Sequence, residues 1–251
     1  MKRYAEIDIL KGIAVICMVV FHLFYYPNKY GYKEIKHTTF PLPLIAKIAQ
    51  FIFIGCVGIN LVFMYSKKEK ETDEEYYTKQ IKRILKLSLC ALLMTLFTYF
   101  VFGDGFIKFG ILHFIALSSL LLLPIIGKPR IIQGMMIIVS VLYLLNKTNP
   151  QLFQAIPDHL AFVSGFHSKW SAIDHFPLMP WLLIMGSGVL LGHEYIDKKP
   201  DFLSKDVEEF PLVKGLQYIG SKSLEIYMIQ WVILYLIYSH IYPNFIRNVP
   251  Y

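Results

Sequence analysis

Seven apolar stretches, roughly residues 9–27, 43–66, 84–103, 110–127, 131–146, 177–195 and 219–242, take up more than half of this 251-residue chain. A helix that crosses a hydrocarbon core of about 30 Å needs about 20 mostly apolar residues, and each stretch comes close, the fifth being the shortest. The chain is 55% hydrophobic and 17% charged, against about 45–50% and 25% for an ordinary soluble domain. A soluble fold of this size could not hide that much apolar surface, so a water-soluble enzyme is excluded. No internal repeat and no low-complexity tail interrupts the pattern. The expectation is all-α: a polytopic integral membrane helical bundle of about seven transmembrane helices, forming one domain over residues 1–251.

The net charge of +7 falls in short clusters between the apolar runs, which is how membrane loops look and not how a nucleic-acid footprint looks. Fifteen of the 25 Lys and Arg residues lie on one side of the expected membrane and seven on the other. The positive-inside bias therefore puts the N-terminus in the cytoplasm and the C-terminus outside. MKRYAEID before the first run imitates a signal peptide, but no small-residue cleavage site closes it, so it reads as a retained first helix. Residues 66–83 mix both charge signs and are expected to extend the third helix inward as an amphipathic stretch. Residues 147–176, with Pro150, Pro157, Gly165, Phe153, Phe162, Phe166 and Trp170, are expected to form an outside loop or lid. Asn146-Lys147-Thr148 matches a glycosylation sequon, a pattern common by chance. Cys17, Cys56 and Cys90 sit in apolar runs without paired spacing and read as packing residues.

Ionisable groups inside a bilayer are costly and mark a function or a buried pair. The first helix carries the densest set. At 100° per residue Asp8, Lys11, Val15, Met18, His22 and Tyr26 share one stripe. Lys11 can pair with Asp8 at i, i+3, and His22 lies eleven residues beyond Lys11, about 16 Å deeper. The bland reading is a polar seam packed on a neighbouring helix. The functional reading draws on convergence: His113 in FGILHFIAL, His37 in the first outside loop, and Asp174 with His175 at the start of the sixth span could meet near the outer face. Basic residues including Lys67, Lys68, Arg83 and Arg130 gather on the inner face, where the topological bias alone would also put them. Histidine suits proton transfer because its ordinary pKa near 6.5 lets it act as a base at neutral pH. Phosphate-loop, dinucleotide, zinc-protease and nucleophile-elbow motifs are all missing, and no metal site is expected.

The opening RYAEIDILKGIAVICMVVFHLFYY (3–26) resembles the signature of the heparan-alpha-glucosaminide N-acetyltransferase catalytic-domain family, part of the wider transmembrane acyltransferase superfamily. Arg3, Asp8, Gly12 and His22 fit that signature, whereas Lys11 stands where the family normally has arginine. The resemblance continues in order through FIFIGCVGINL (51–61), FGILHFIALSSLLLLP (109–124), DHFPLMPWLLIMGSGVLLG (174–192) and SKSLEIYMIQWVIL (221–234). It implies transfer of an acetyl group from acetyl-CoA on the cytoplasmic side to a sugar-like amine or hydroxyl on the far side. It implies His22 or His37 as the catalytic base, a choice the residues leave open. The donor's phosphates are then expected near Asp8, Lys11, Lys67, Lys68, Arg83 and Arg130, and the acceptor near His113, Asp174 and His175. Gln230 stands where many relatives have histidine, and glutamine cannot titrate. The expected partners are the lipid bilayer, the coenzyme A donor and the acceptor, with a homodimer as a further arrangement and no nucleic acid. The rival reading is a non-catalytic membrane scaffold or small transporter that keeps the acyltransferase fold.

Overall fold

The computed structural model describes residues 5–29, 38–68, 71–170, 172–198 and 205–241. Among them every regular element is a helix: α1 (Ala5–Lys29), α2 (Leu42–Tyr65), α3 (Asp73–Phe102), α4 (Ile111–Leu122), α5 (Pro129–Thr148), α6 (Asp158–Ser164), α7 (Leu178–Lys198), α8 (Lys205–Glu208), α9 (Pro211–Ser221) and α10 (Ser223–Ile241). Five of these, α1, α2, α3, α5 and α10, are long and apolar enough to cross a membrane. Two of the seven stretches read from the sequence fall outside that set. The 12 residues of α4 rise only about 18 Å. Helix α7 has the length, at 21 residues, but Gly192, His193 and Glu194 dilute its last turns. The fifth stretch is longer than the apolar run suggested, because Pro129 opens it at the first helical position, where a missing N–H costs nothing.

The chain divides into two compact units, one of residues 1–56 and 200–251 and the other of residues 57–199. In the first, α1 packs along α9 and α10. Backbones approach here more closely than any side chain permits: a Cβ on Gly12 would lie 2.2 Å from the Leu216 carbonyl oxygen, and one on Gly220 would meet the Asp8 carbonyl. Small residues allow this kind of contact between membrane helices. The last apolar stretch, read as one span from 219, is broken at Lys222, whose N–H closes α9 onto Tyr218 and Ile219 while its carbonyl accepts from Ile226 to open α10.

In the second unit α3 packs on α4, and α5 on α7. Helix α3 runs for 30 residues, about 45 Å, which exceeds the hydrocarbon thickness by about 15 Å. Its first turns are the mixed-charge extension expected from the sequence. Thr72 begins it with a capping box: the Thr72 hydroxyl accepts from the Glu75 N–H at 3.2 Å and the Glu75 carboxylate accepts from the Thr72 N–H at 3.1 Å. The segment expected to form a lid contains a short turn at Pro150–Phe153 and α6. The Asn146 of the sequon lies inside α5 and its side-chain nitrogen donates to the Gly165 carbonyl at 3.2 Å.

Candidate active site

In the first unit, Asp8 and Lys11 form the expected pair, with Nζ and Oδ1 2.5 Å apart and both side chains mostly covered. They sit one helical turn apart on the face of α1 that also buries Ile7, Ala14 and Val15, while Leu10, Ile13, Ile16 and Leu23 point outward. Higher on the same face, the His22 ring lies against α10. Its centroid is 5.5 Å from that of Trp231, the Gln230 side chain lies beside it, and its Nδ1 is sealed from solvent. Phe21 and Tyr25 complete the aromatic surround, at 5.8 and 6.4 Å. Tyr238 fastens the two helices beyond this point by donating its hydroxyl to the Leu23 carbonyl at 2.5 Å. Both Gln230 and Trp231 are nearly inaccessible, so the imidazole shares an apolar wall with a single amide. His37 lies outside the described residues.

The second unit holds His113, Asp174 and His175 together. The chain between α3 and α4 and the chain leading into α7 are tied by Ile173 N–H to the Gly105 carbonyl at 3.4 Å and Phe176 N–H to the Phe109 carbonyl at 3.0 Å. Asp174 takes a left-handed backbone, with φ of 55°, which is uncommon for any residue but glycine. This conformation aims its carboxylate at the N-terminus of α4, where it accepts from Ile111 N–H at 3.4 Å. An anion is favoured there by the free N–H groups and the helix dipole. Two residues on, His113 Nδ1 accepts from Gly110 N–H at 3.3 Å. The ring's other nitrogen, 3.2 Å from Thr95 Oγ1, is then the protonated one and donates. Thr95 passes its own proton to the Ile107 carbonyl at 2.8 Å, so the chain Gly110, His113, Thr95, Ile107 is complete and directional. Thus both nitrogens of His113 are engaged. His175 stacks on Phe162 with centroids 3.9 Å apart and planes 9° from parallel, and its Nε2 donates to the Phe162 carbonyl at 2.9 Å. Burial lowers its pKa, partly offset by that hydrogen bond.

Beside this clasp lies a cavity of about 640 Å³ lined by Asp104, Phe106, Lys108, Lys169 and Trp170. Lys108 lies over the Phe106 ring, 4.8 Å from its centroid, and donates to the Asp104 carbonyl at 3.0 Å. Aromatic walls, one carboxylate and two ammonium groups thus line it.

The predicted donor-side residues are distributed unevenly. Lys68 is committed: it pairs with Asp73 at 3.0 Å and lies 5.3–5.9 Å from the ring centroids of Tyr65, Tyr76 and Tyr77. The hydrogen bond to Asp73 raises its pKa, against a smaller opposing effect of burial. Lys67 is half-buried just before it, and Arg130 is exposed in the first turn of α5. Arg83 is half-buried on α3 and donates to Met64 Sδ at 3.5 Å. Among the described residues no group of three or more His, Cys, Asp or Glu side chains could hold a metal.

Sequence reasoning did not find Thr95 or Trp231. Thr95 is one of two threonines in the apolar run LLMTLFTYF, and a hydroxyl in such a run is the signal that could have marked it.

The family model described as heparan-alpha-glucosaminide N-acetyltransferase, catalytic, matches residues 3–232. This chain belongs to that family. The match runs through α1, the histidine on it, the His113–Asp174 clasp and α10 as far as Val232. As a member of the heparan-alpha-glucosaminide N-acetyltransferase family, it is a membrane protein of the acetyltransferase class. No curated protein and no solved structure matches the chain.

Proposed function

We propose that the chain is a multi-pass acyltransferase that moves an acetyl group from acetyl-CoA, bound on the cytoplasmic side, to a sugar-like amine or hydroxyl on the opposite side. The observation that supports this best is His22: an imidazole placed on α1 above the Asp8–Lys11 pair, walled by Trp231 and by the amide of Gln230. A base held in an apolar surround is kept neutral and ready to accept a proton. In the reaction, the acceptor nitrogen or oxygen attacks the thioester carbonyl while its proton passes to the imidazole. The carbon–sulfur bond then breaks, and the same proton goes to the departing thiolate. His37 is the other candidate base. A variant passes the acetyl group through an acyl-histidine. Asp174, His113 and His175 orient the acceptor, whose ring rests against Trp170 and Phe106. Lys11, Lys67, Lys68, Arg83 and Arg130 receive the donor's phosphates, with Asp8 holding Lys11.

The test is transfer of labelled acetyl in membranes carrying His22→Ala or His37→Ala. Loss in one of them identifies the base, whereas full activity in both defeats the assignment. A second reading, a scaffold or small transporter that keeps the fold, draws on Lys11 in place of the family arginine and on Gln230 in place of histidine. Thermal stabilisation by coenzyme A or acetyl-CoA separates the two, since a ligand bound only by the folded state raises stability by mass action. No shift at millimolar ligand favours the scaffold or transporter.

A further inference from the structure

Among the described residues, Arg83 stands out in the second unit as a half-buried guanidinium with no acid against it. Its hydrogen-bond partner is a thioether, Met64 Sδ at 3.5 Å, a weak acceptor for one of five donors. Three carboxylates at or just before the start of α3 are occupied elsewhere: Glu71 by Lys79 at 2.9 Å, Asp73 by Lys68 at 3.0 Å, and Glu75 by the capping box. A guanidinium stays charged at any ordinary pH, and a covered charge left unmatched is costly. The surroundings supply further donors. Arg83 acts electrostatically on the buried Tyr76 phenol, and the Lys68 ammonium lies 5.8 Å from the centroid of the same ring. Tyr65 packs edge-on to Tyr76 at 6.0 Å, and its hydroxyl reaches so close to Gly127 that a Cβ there would lie 2.2 Å from it. Two cations and two phenols thus border one small region at the junction of α2, α3 and the turn before α5.

We propose that Arg83, flanked by Tyr76 and Lys68, is the receptor for a single phosphate group, held through the planar fork of the guanidinium. A tetrahedral oxyanion matches that fork and leaves oxygens for the phenol and the ammonium. Two sources carry this chemistry: a phosphate of the coenzyme A donor, an arm that rests on the function proposed above, and the headgroup of an anionic phospholipid. The length of α3 suits either, because the ten-position step from Asp73 to Arg83 rises about 15 Å, the amount by which the helix exceeds the hydrocarbon core.

The experiment compares the full chain, purified and reconstituted, with Arg83→Gln and Arg83→Lys. Binding of coenzyme A and of 3′-dephospho-coenzyme A is measured by titration, and thermal stability is measured in vesicles of phosphatidylcholine with and without phosphatidylglycerol. A tenfold or greater loss of coenzyme A affinity in Arg83→Gln, with a smaller loss in Arg83→Lys, supports the proposal with the donor as source. Unchanged coenzyme A affinity, together with a phosphatidylglycerol stabilisation that Arg83→Gln abolishes, supports it with lipid as source. Retention of both responses in Arg83→Gln overturns it. If Arg83→Gln does not fold, Arg83→Lys decides, because it keeps the charge and removes the fork: wild-type responses in it overturn the proposal. A wild-type chain that binds no coenzyme A defeats the donor reading of the function and leaves the phosphate receptor to be decided by the lipid arm.

Discussion

The imidazole of His22 and the indole of Trp231 lie with ring centroids 5.5 Å apart and planes tilted by 54°. This contact joins the first and last long helices of one unit, and the neighbouring Gln230 places an amide beside the same ring. The position of this imidazole is therefore a property of the α1–α10 packing, held further along by the Tyr238 hydroxyl on the Leu23 carbonyl.

Gln230→Leu removes that amide at nearly constant volume. The expected outcome is a roughly ten- to hundredfold fall in kcat with little change in KM, since orientation of a general base contributes on that scale. The fall is expected to vanish when His22 is already alanine. Acetyl-transfer kinetics on the two single variants and the double variant measure the coupling.

The glycines of α9 offer a contrast within one helix. A methyl on Gly220 would meet the Asp8 carbonyl, whereas a methyl on Gly215 meets nothing within 4 Å. Gly220→Ala is expected to cost about 1–3 kcal/mol through overpacking. Gly215→Ala is expected to stabilise by up to about 1 kcal/mol, because alanine loses less freedom than glycine in a helix. Thermal unfolding in one detergent checks both.

Thr95→Val keeps the shape of the side chain and removes the hydroxyl that links His113 to the Ile107 carbonyl. Stability is expected to fall by about 1–3 kcal/mol, the cost of leaving partly buried partners unsatisfied. Thr95→Ser should restore most of it. The KM for the acceptor is expected to rise in Thr95→Val while that for the donor holds, as steady-state kinetics with each substrate varied would show.

His175 gives the clasp a pH dependence of known sign. Burial lowers its pKa from the ordinary 6.5, so the unfolded chain binds the proton more readily than the folded one, and stability rises with pH through this window. The contribution is complete above about pH 6.5 and is lost as pH falls through the lower folded value. His175→Phe, which keeps the stack on Phe162 and cannot titrate, is expected to flatten the slope of Tm against pH below 6.5. An unchanged slope in that variant would assign the dependence to another group.

Much of the architecture was legible because it depends on short-range pattern. Apolar run length gave the long helices, and the i, i+3 spacing of Asp8 and Lys11 gave their ion pair. The mixed charges of 66–83 gave the extension of α3, although the capping box at Thr72 would have placed its start. What stayed hidden depends on contacts distant in sequence. The break at Lys222 lies in an apolar stretch, next to a glycine required by the carbonyl of Asp8, more than two hundred residues away. The left-handed turn at Asp174 is set by a helix end 63 positions earlier. His113 was expected among the residues that orient or hold the acceptor, but the hydroxyl beside its ring lies on another helix, where composition alone cannot link them.

Because α3 is one unbroken rod from Asp73 to Phe102, Arg83 and Thr95 are spaced on it like marks on a ruler, twelve residues or about 18 Å apart. A molecule anchored by its phosphate at the first mark reaches the second only if its tail is that long. For a thioester held at the proposed anchor, tail length, more than the strength of the anchor, would decide whether its cargo reaches the level of Thr95. A headgroup bound at the same anchor would act as a stopper.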